Sequence, residues 1–230
     1  MHHIFHALQN GLVVSCQAEG DDPFNSPEGV TLFARAAIMG GAVGIRTEGK
    51  LKTAEIKKHV SVPVIGLIKS YFDDGFVRIT GTHQDIPDLI EAKSDIIAID
   101  GTSRRREDLT GPQFIEKIKR EYPCLIMADI ATVDEGMACV EAGADCLSTT
   151  LSGYTPETQS KIADHQPDYA LLEELVKHSP IPVFAEGRIN TPDDARRMMN
   201  LGAWGVVVGT VITRPRVVTS WFVDAVTRKH

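Results

Sequence analysis

The chain has 230 residues, 43% of them hydrophobic and 24% charged, and carries a net charge of −7. That length suits one large domain, residues 1–230 together, better than two small ones. The acidic balance, with no long basic run, argues against a nucleic-acid binder, and no apolar run approaches the roughly 18 residues of a membrane helix.

The start, Met1 to His6, lacks the basic-then-apolar layout of a signal peptide. The four cysteines, Cys16, Cys124, Cys139 and Cys146, form no C-x-x-C pair. They read as small buried residues of a reduced, cytoplasmic protein. The eight histidines are scattered, and no metal site is expected.

Along the chain, short apolar runs alternate with helical patterns. The runs are Leu12–Cys16, Ala42–Ile45, Val64–Ile68, Ile96–Ile99, Leu125–Ala128, Cys146–Thr149, Val183–Ala185 and Gly205–Val208. Each reads as a strand covered on both faces. Between them, 3.6-type spacing predicts helices over Glu28–Met39, Thr53–His59, Pro112–Glu121, Val133–Ala142, Tyr169–His178 and Thr191–Leu201. Thr191-Pro-Asp-Asp combines an N-cap, a proline at the first helical position and first-turn acids. Gly-Ala at 41–42, 143–144 and 202–203 reads as a helix-ending glycine leading into the next strand.

Eight such units predict the α/β class and a single (β/α)8 TIM barrel. An open doubly wound sheet is the alternative, but no glycine fingerprint follows the first strand. Three segments break the rhythm. Tyr71–Gln84 contains the alternating Val77-Arg-Ile-Thr80 and predicts a small hairpin over the mouth. Gly101–Gly111 is arginine-rich, and Ser152–Pro167 is long and polar. Following strands three, four and six, all fall on the face where such barrels keep their sites.

The first polar residue after each run is Gln17, Arg46, Lys69, Asp100, Asp129, Thr149, Glu186 or Thr210. A charge ending a buried strand is expected to leave the core and point into the bowl above it. Lys69 and Glu186 would then face each other across one cleft as acid–base equipment. To act as a base the lysine must be neutral, and Arg46 is the expected neighbouring cation favouring that form. Asp129 would hold the lysine in place. Each of these residues also has a plain reading as a salt-bridged strand end. Glu186-Gly187-Arg188 after strand seven, Gly209-Thr210 after strand eight, and Arg214 predict a phosphate end.

Several strings resemble the N-acetylmannosamine-6-phosphate 2-epimerases of sialic-acid catabolism. They are Val14-Ser-Cys-Gln17, Gly44-Ile-Arg46-Thr-Glu48-Gly49, Pro63-Val-Ile-Gly-Leu-Ile-Lys69, Ile99-Asp100-Gly-Thr102, Met127-Ala-Asp129-Ile-Ala-Thr132, Thr149-Thr-Leu-Ser-Gly-Tyr154-Thr and Ala185-Glu186-Gly-Arg188. The resemblance spans nearly the whole chain in order. It implies an isomerase that interconverts N-acetylmannosamine 6-phosphate and N-acetylglucosamine 6-phosphate through the proton at C2. Lys69 would carry that proton and Glu186 would assist. Gln17, Arg46, Asp129, Tyr154 and Arg188 would contact the sugar. Gly187, Gly209, Thr210 and Arg214 would hold the phosphate. It implies neither metal nor nucleotide cofactor, and a homodimer, with Trp221-Phe222 at the interface or tucked against the barrel. Two other readings stay open: a Schiff-base lyase using Lys69, and a non-catalytic sugar-phosphate sensor.

Overall fold

A computed structural model describes residues 2–162 and 166–227, with the side chains of 161 and 162 left aside. The centre of the long Ser152–Pro167 segment therefore lies outside the described residues. In chain order the elements begin α1 (His3–Leu8), β1 (Leu12–Cys16), α2 (Pro27–Met39), β2 (Gly44–Glu48), α3 (Lys50–His59) and β3 (Val64–Leu67). A hairpin, β4 (Lys69–Tyr71) and β5 (Val77–Ile79), precedes α4 (Asp85–Glu91), β6 (Ile96–Asp100), α5 (Gly111–Glu121), β7 (Ile126–Asp129) and α6 (Val133–Glu141). Then come β8 (Cys146–Ser148), 3₁₀ turns at Thr149–Leu151 and Gln159–Ile162, α7 (Tyr169–His178), β9 (Val183–Glu186), α8 (Pro192–Asn200), β10 (Gly205–Val208), α9 (Thr210–Thr213) and α10 (Pro215–Thr227).

Eight strands close into a parallel barrel in the order β1-β2-β3-β6-β7-β8-β9-β10, with β10 returning to β1. Strands alternate side chains between two faces. One set, including Val13, Ile65, Leu67, Ala98, Met127, Phe184 and Val207, packs with Phe5 and Leu8 of α1 inside the barrel. The other, including Ile97, Ile99, Ala128, Leu147, Ala185 and Val208, packs outward against helices. Helix starts follow the sequence: Thr191 forms a capping box with Asp194 before Pro192, and Ser26 caps α2 before Pro27.

Three expectations change. The second strand starts at Gly44 and runs through Arg46 to Glu48. The apolar run misplaced it because its charged residue belongs to the strand body. Lys69 is not the tip of a barrel strand: β3 ends at Leu67, and Lys69 opens the hairpin, paired with Ile79. The hairpin's base is tied twice: Thr80 N–H donates to Ile68 O at 2.6 Å, and Ile68 N–H donates to the Thr80 hydroxyl at 3.2 Å. Finally, α10 buries none of its residues and packs chiefly on α9. Trp221 and Phe222 are thus 41% and 68% exposed and do not tuck against the barrel. Near the β1–β10 seam an apolar cavity of about 430 Å³ remains, lined by Leu12, Val206, Val208, Val211, Ile212 and Met199 among others.

No helix among the described residues is long and apolar enough to cross a membrane. All four cysteines are free.

Candidate active site

A cavity of about 430 Å³ opens above the C-terminal ends of the strands. Its wall contains Gln17, Arg46, Lys69, Tyr154, Glu186, Gly187, Arg188, Gly209, Thr210 and Arg214. Of the strand-end residues singled out in the sequence, Asp100, Asp129 and Thr149 do not line it. The hairpin contributes Tyr71, Gly75, Phe76, Val77 and Ile79 to the rim.

One side of the cavity is built on Arg46. Its guanidinium grips Asp129 with two bonds, Nη1 to Oδ1 at 3.0 Å and Nη2 to Oδ2 at 2.6 Å. Nη1 also lies 3.2 Å from Glu186 Oε2. Arg46 and Asp129 are 1% and 0% exposed. These two charges therefore do not leave the core as expected; mutual pairing lets them stay at its upper layer. Asp129 stands behind Arg46 and fixes it from across the barrel, three strands away.

The hydroxyls of Ser148 and Thr150 complete this side. Thr150 Oγ1 is 2.7 Å from Asp129 Oδ1, 2.8 Å from Ser148 Oγ and 3.0 Å from Glu186 Oε2. A hydroxyl has one proton to give. When Thr150 gives it to Asp129, a hydrogen bond between Thr150 and Glu186 requires the proton of a neutral Glu186 carboxyl. Burial pushes the Glu186 carboxyl up from its ordinary pKa; Arg46 opposes this and Asp129 adds to it. Burial raises Asp129 as well, again against Arg46. Burial works against the charge on Arg46, but Asp129 and Glu186 outweigh it and keep it protonated. Two buried carboxyls share one cation, and burial and their mutual repulsion both favour the pair's protonated form. Oε1 of Glu186 has no hydrogen-bond partner among the described residues. Such a group can hand a proton to a ligand.

Sequence reading passed over Ser148 and Thr150 and named Thr149. The Thr149 hydroxyl instead clips the backbone, donating to Glu186 O at 2.8 Å and accepting from Glu186 N–H at 3.0 Å. The signal was present: residues 148 and 150 share the inward parity of Cys146.

The other side carries Lys69, and its partner is a second surprise. Lys69 Nζ is hydrogen-bonded to Glu19 Oε1, a residue of the loop after β1. Arg46 and Thr150 take up the Asp129 carboxylate, so Lys69 is held by Glu19 and not, as expected, by Asp129. The same Glu19 Oε1 accepts from Arg214 Nη2 at 3.2 Å. Burial disfavours the charged form of Glu19, but Lys69, Arg214 and Lys52 outweigh it and hold the carboxyl below its ordinary pKa.

At the far end, Gly187 and Arg188 both have left-handed backbone, φ 107° and 55°. Arg188 donates to Ser152 O at 2.5 Å and Gln166 O at 2.7 Å. It lies 5.7 Å from the centre of the Tyr154 ring. It thereby pins the polar loop after β8 to the mouth. Gly209 precedes α9, whose first N–H groups have no intrahelical acceptor. Gln17 donates to Ser15 Oγ at 2.8 Å. Among the described residues no three His, Cys, Asp or Glu side chains gather as a metal site would need.

Comparison with known proteins agrees with this frame. A family model described as "Putative N-acetylmannosamine-6-phosphate epimerase" (NanE) matches residues 30–228. The chain belongs to this epimerase family. A relative from Caldanaerobacter subterraneus subsp. tengcongensis, described as "Putative N-acetylmannosamine-6-phosphate 2-epimerase", is 45% identical over 99% of this chain and 95% of its own length. One from Cutibacterium acnes, described in the same words, is 46% identical over 96% of each. The solved structure of the N-acetylmannosamine-6-phosphate 2-epimerase from Clostridium perfringens superposes with a TM-score of 0.90 at 40% identity, covering 97% of this chain and 96% of that one. A thiamine phosphate pyrophosphorylase from Pyrococcus furiosus, 20% identical with a TM-score of 0.61, shares the fold over 98% of this chain and 100% of its own. In this member of the epimerase family, the strings that carried the resemblance fall on the inward layer of β1, β2, β7 and β9, on the hairpin base, and on the loops they support.

Proposed function

We propose that this chain interconverts N-acetylmannosamine 6-phosphate and N-acetylglucosamine 6-phosphate by removing and returning the proton at C2. The observation that carries the reading is a cavity with a lysine on one wall and, on another, a buried carboxyl pair sharing one guanidinium. Ring opening sets C2 beside the C1 carbonyl, and losing the C2 proton makes an enediolate-like intermediate. Lys69 takes and returns the proton; Glu186, whose protonated form burial favours, serves the oxygen. Arg46 offsets the developing negative charge, and Asp129 holds Arg46 in position. Gln17, Tyr154 and Arg188 support the sugar. Gly187, Gly209, Thr210 and Arg214 take the phosphate, and its binding fixes C2 in place.

The test is proton NMR of N-acetylmannosamine 6-phosphate with the protein in D₂O. Deuterium at C2 of both sugars is the expected result; epimerisation with full retention of the C2 proton would overturn it. Borohydride trapping that leaves a sugar on Lys69 would favour a lyase.

The same reading takes residues 1–230 as one cytoplasmic barrel domain, acting as a homodimer. Four free cysteines suit a reducing compartment. The bare α10 and the apolar cavity near the β1–β10 seam supply surface for a second copy to cover. Sedimentation of the wild type and Phe222→Asp tests this: a dimer becoming monomer is expected, and a monomeric wild type refutes it.

A further inference from the structure

Glu19 plays no part in the scheme above, yet it lies in the middle of it. It lines the cavity, and its one oxygen Oε1 accepts from both Lys69 and Arg214. Those are the two cations to which that scheme, on which this inference rests, gives C2 and the phosphate. Two hydrogen bonds meeting at one atom hold their donors no more than about 6 Å apart. In the sugar phosphate, four carbons and an oxygen separate C2 from phosphorus. A ligand that reaches both cations therefore competes with Glu19 for both donors. The Glu19 side chain is 40% exposed on a loop, so it has solvent to turn into.

We infer that Glu19 is a positioning residue, a built-in anion that occupies the two cations until a phosphate replaces it. A phosphate carries about −1.5 to −2 charges at pH 7, a carboxylate one. The exchange at Arg214 therefore favours a phosphorylated ligand, and the incoming charge repels Glu19 from the cavity. Lys69 is released by the same step. A sugar without phosphate brings no anion to Arg214. It must break the Lys69–Glu19 pair with nothing in return, and so it meets an engaged lysine. The carboxylate thus couples recognition at one end of the sugar to proton transfer at the other.

The experiment compares wild type with Glu19→Gln, which keeps size and hydrogen bonding and removes the charge. Calorimetric titration with inorganic phosphate is the first measurement. About tenfold tighter binding by Glu19→Gln is expected, the size of effect that removing one like charge produces at a partly exposed site. In an Arg214→Ala background that gain disappears. The second measurement is kcat/KM for N-acetylmannosamine with and without the 6-phosphate. The kcat/KM for the sugar without phosphate rises about tenfold in Glu19→Gln, because its lysine is no longer engaged. Equal phosphate affinity in wild type and Glu19→Gln overturns the inference. So does a loss of kcat with unchanged preference, which would make Glu19 a support for Lys69 during turnover. Absence of turnover by the wild type would sink the epimerase reading instead, and the phosphate titration would still decide the role of Glu19.

Discussion

Asp100 and Asp129 are register partners on β6 and β7, and neither is accessible to solvent. Asp100 is met by its own loop: Arg104 Nη2 lies 2.6 Å from Oδ2 and Arg106 Nη2 lies 3.0 Å from Oδ1, while Thr102 N–H and hydroxyl bind Oδ1 as well. Two cations answer one carboxylate, and none of the three side chains lines the cavity. Asp129 is met by one arginine from across the barrel, and that arginine is shared with Glu186. Adjacent strands thus end in the same residue type with opposite outcomes. A surplus of cation closes one position into structure. A deficit of cation leaves the other sharing its arginine, with burial favouring its protonated form.

The comparison breaks or sharpens under four substitutions. The largest effect is expected from Lys69→Ala, which removes the amine facing the cation-poor cluster. Turnover should fall about 10²–10⁴-fold with circular dichroism unchanged; near-normal turnover would place the chemistry elsewhere. Asp100→Ala should act on stability alone. Stranding two buried guanidinium groups costs about 3–5 kcal/mol, read as a lower denaturant midpoint, while kcat of the folded fraction stays near wild type. A stable variant with lost activity would reverse the assignment of the two positions. Arg214→Ala removes a charge-assisted contact of about 1.5–3 kcal/mol. KM for the phosphorylated sugar should rise about 10–100-fold, whereas an unchanged KM would remove Arg214 from the phosphate end.

The subtlest test is Asp129→Asn. The Asp129 charge helps to raise the Glu186 pKa, and Arg46 opposes it. Removing that charge leaves Arg46 to Glu186 alone, so the Glu186 pKa must fall. The limb of the pH–rate profile belonging to Glu186 should therefore move to lower pH. Movement to higher pH, or none, would mean that the two carboxyls are not coupled.

The barrel was legible because buried parallel strands write themselves as apolar runs, and glycines and capping residues punctuate the helices between. The ring of strand-end residues was legible for the same reason: a charge closing such a run stands out. Pairing was not. Arg46 meets Asp129 at a sequence separation of 83, and Lys69 meets Glu19 at 50. Loop residues such as Glu19 carry no periodicity to betray which face they turn to. The second strand was misplaced because Arg46 and Thr47, buried by their partners, look like surface in one dimension. Whether Trp221 and Phe222 lie bare or tucked stayed open for the converse reason, since the apolar residues of α10 read the same either way.

The placement of Lys69 within the hairpin has a mechanical consequence. The Ile68–Thr80 bonds act as a fulcrum, and displacement about a fulcrum grows with the length of the arm. Lys69 sits one residue from it; Gly75 and Phe76, which overhang the cavity, sit at the far end. Any turning of the hairpin about that tie displaces its tip most and Lys69 least. Rim and amine belong to one lever, but only the rim has leverage.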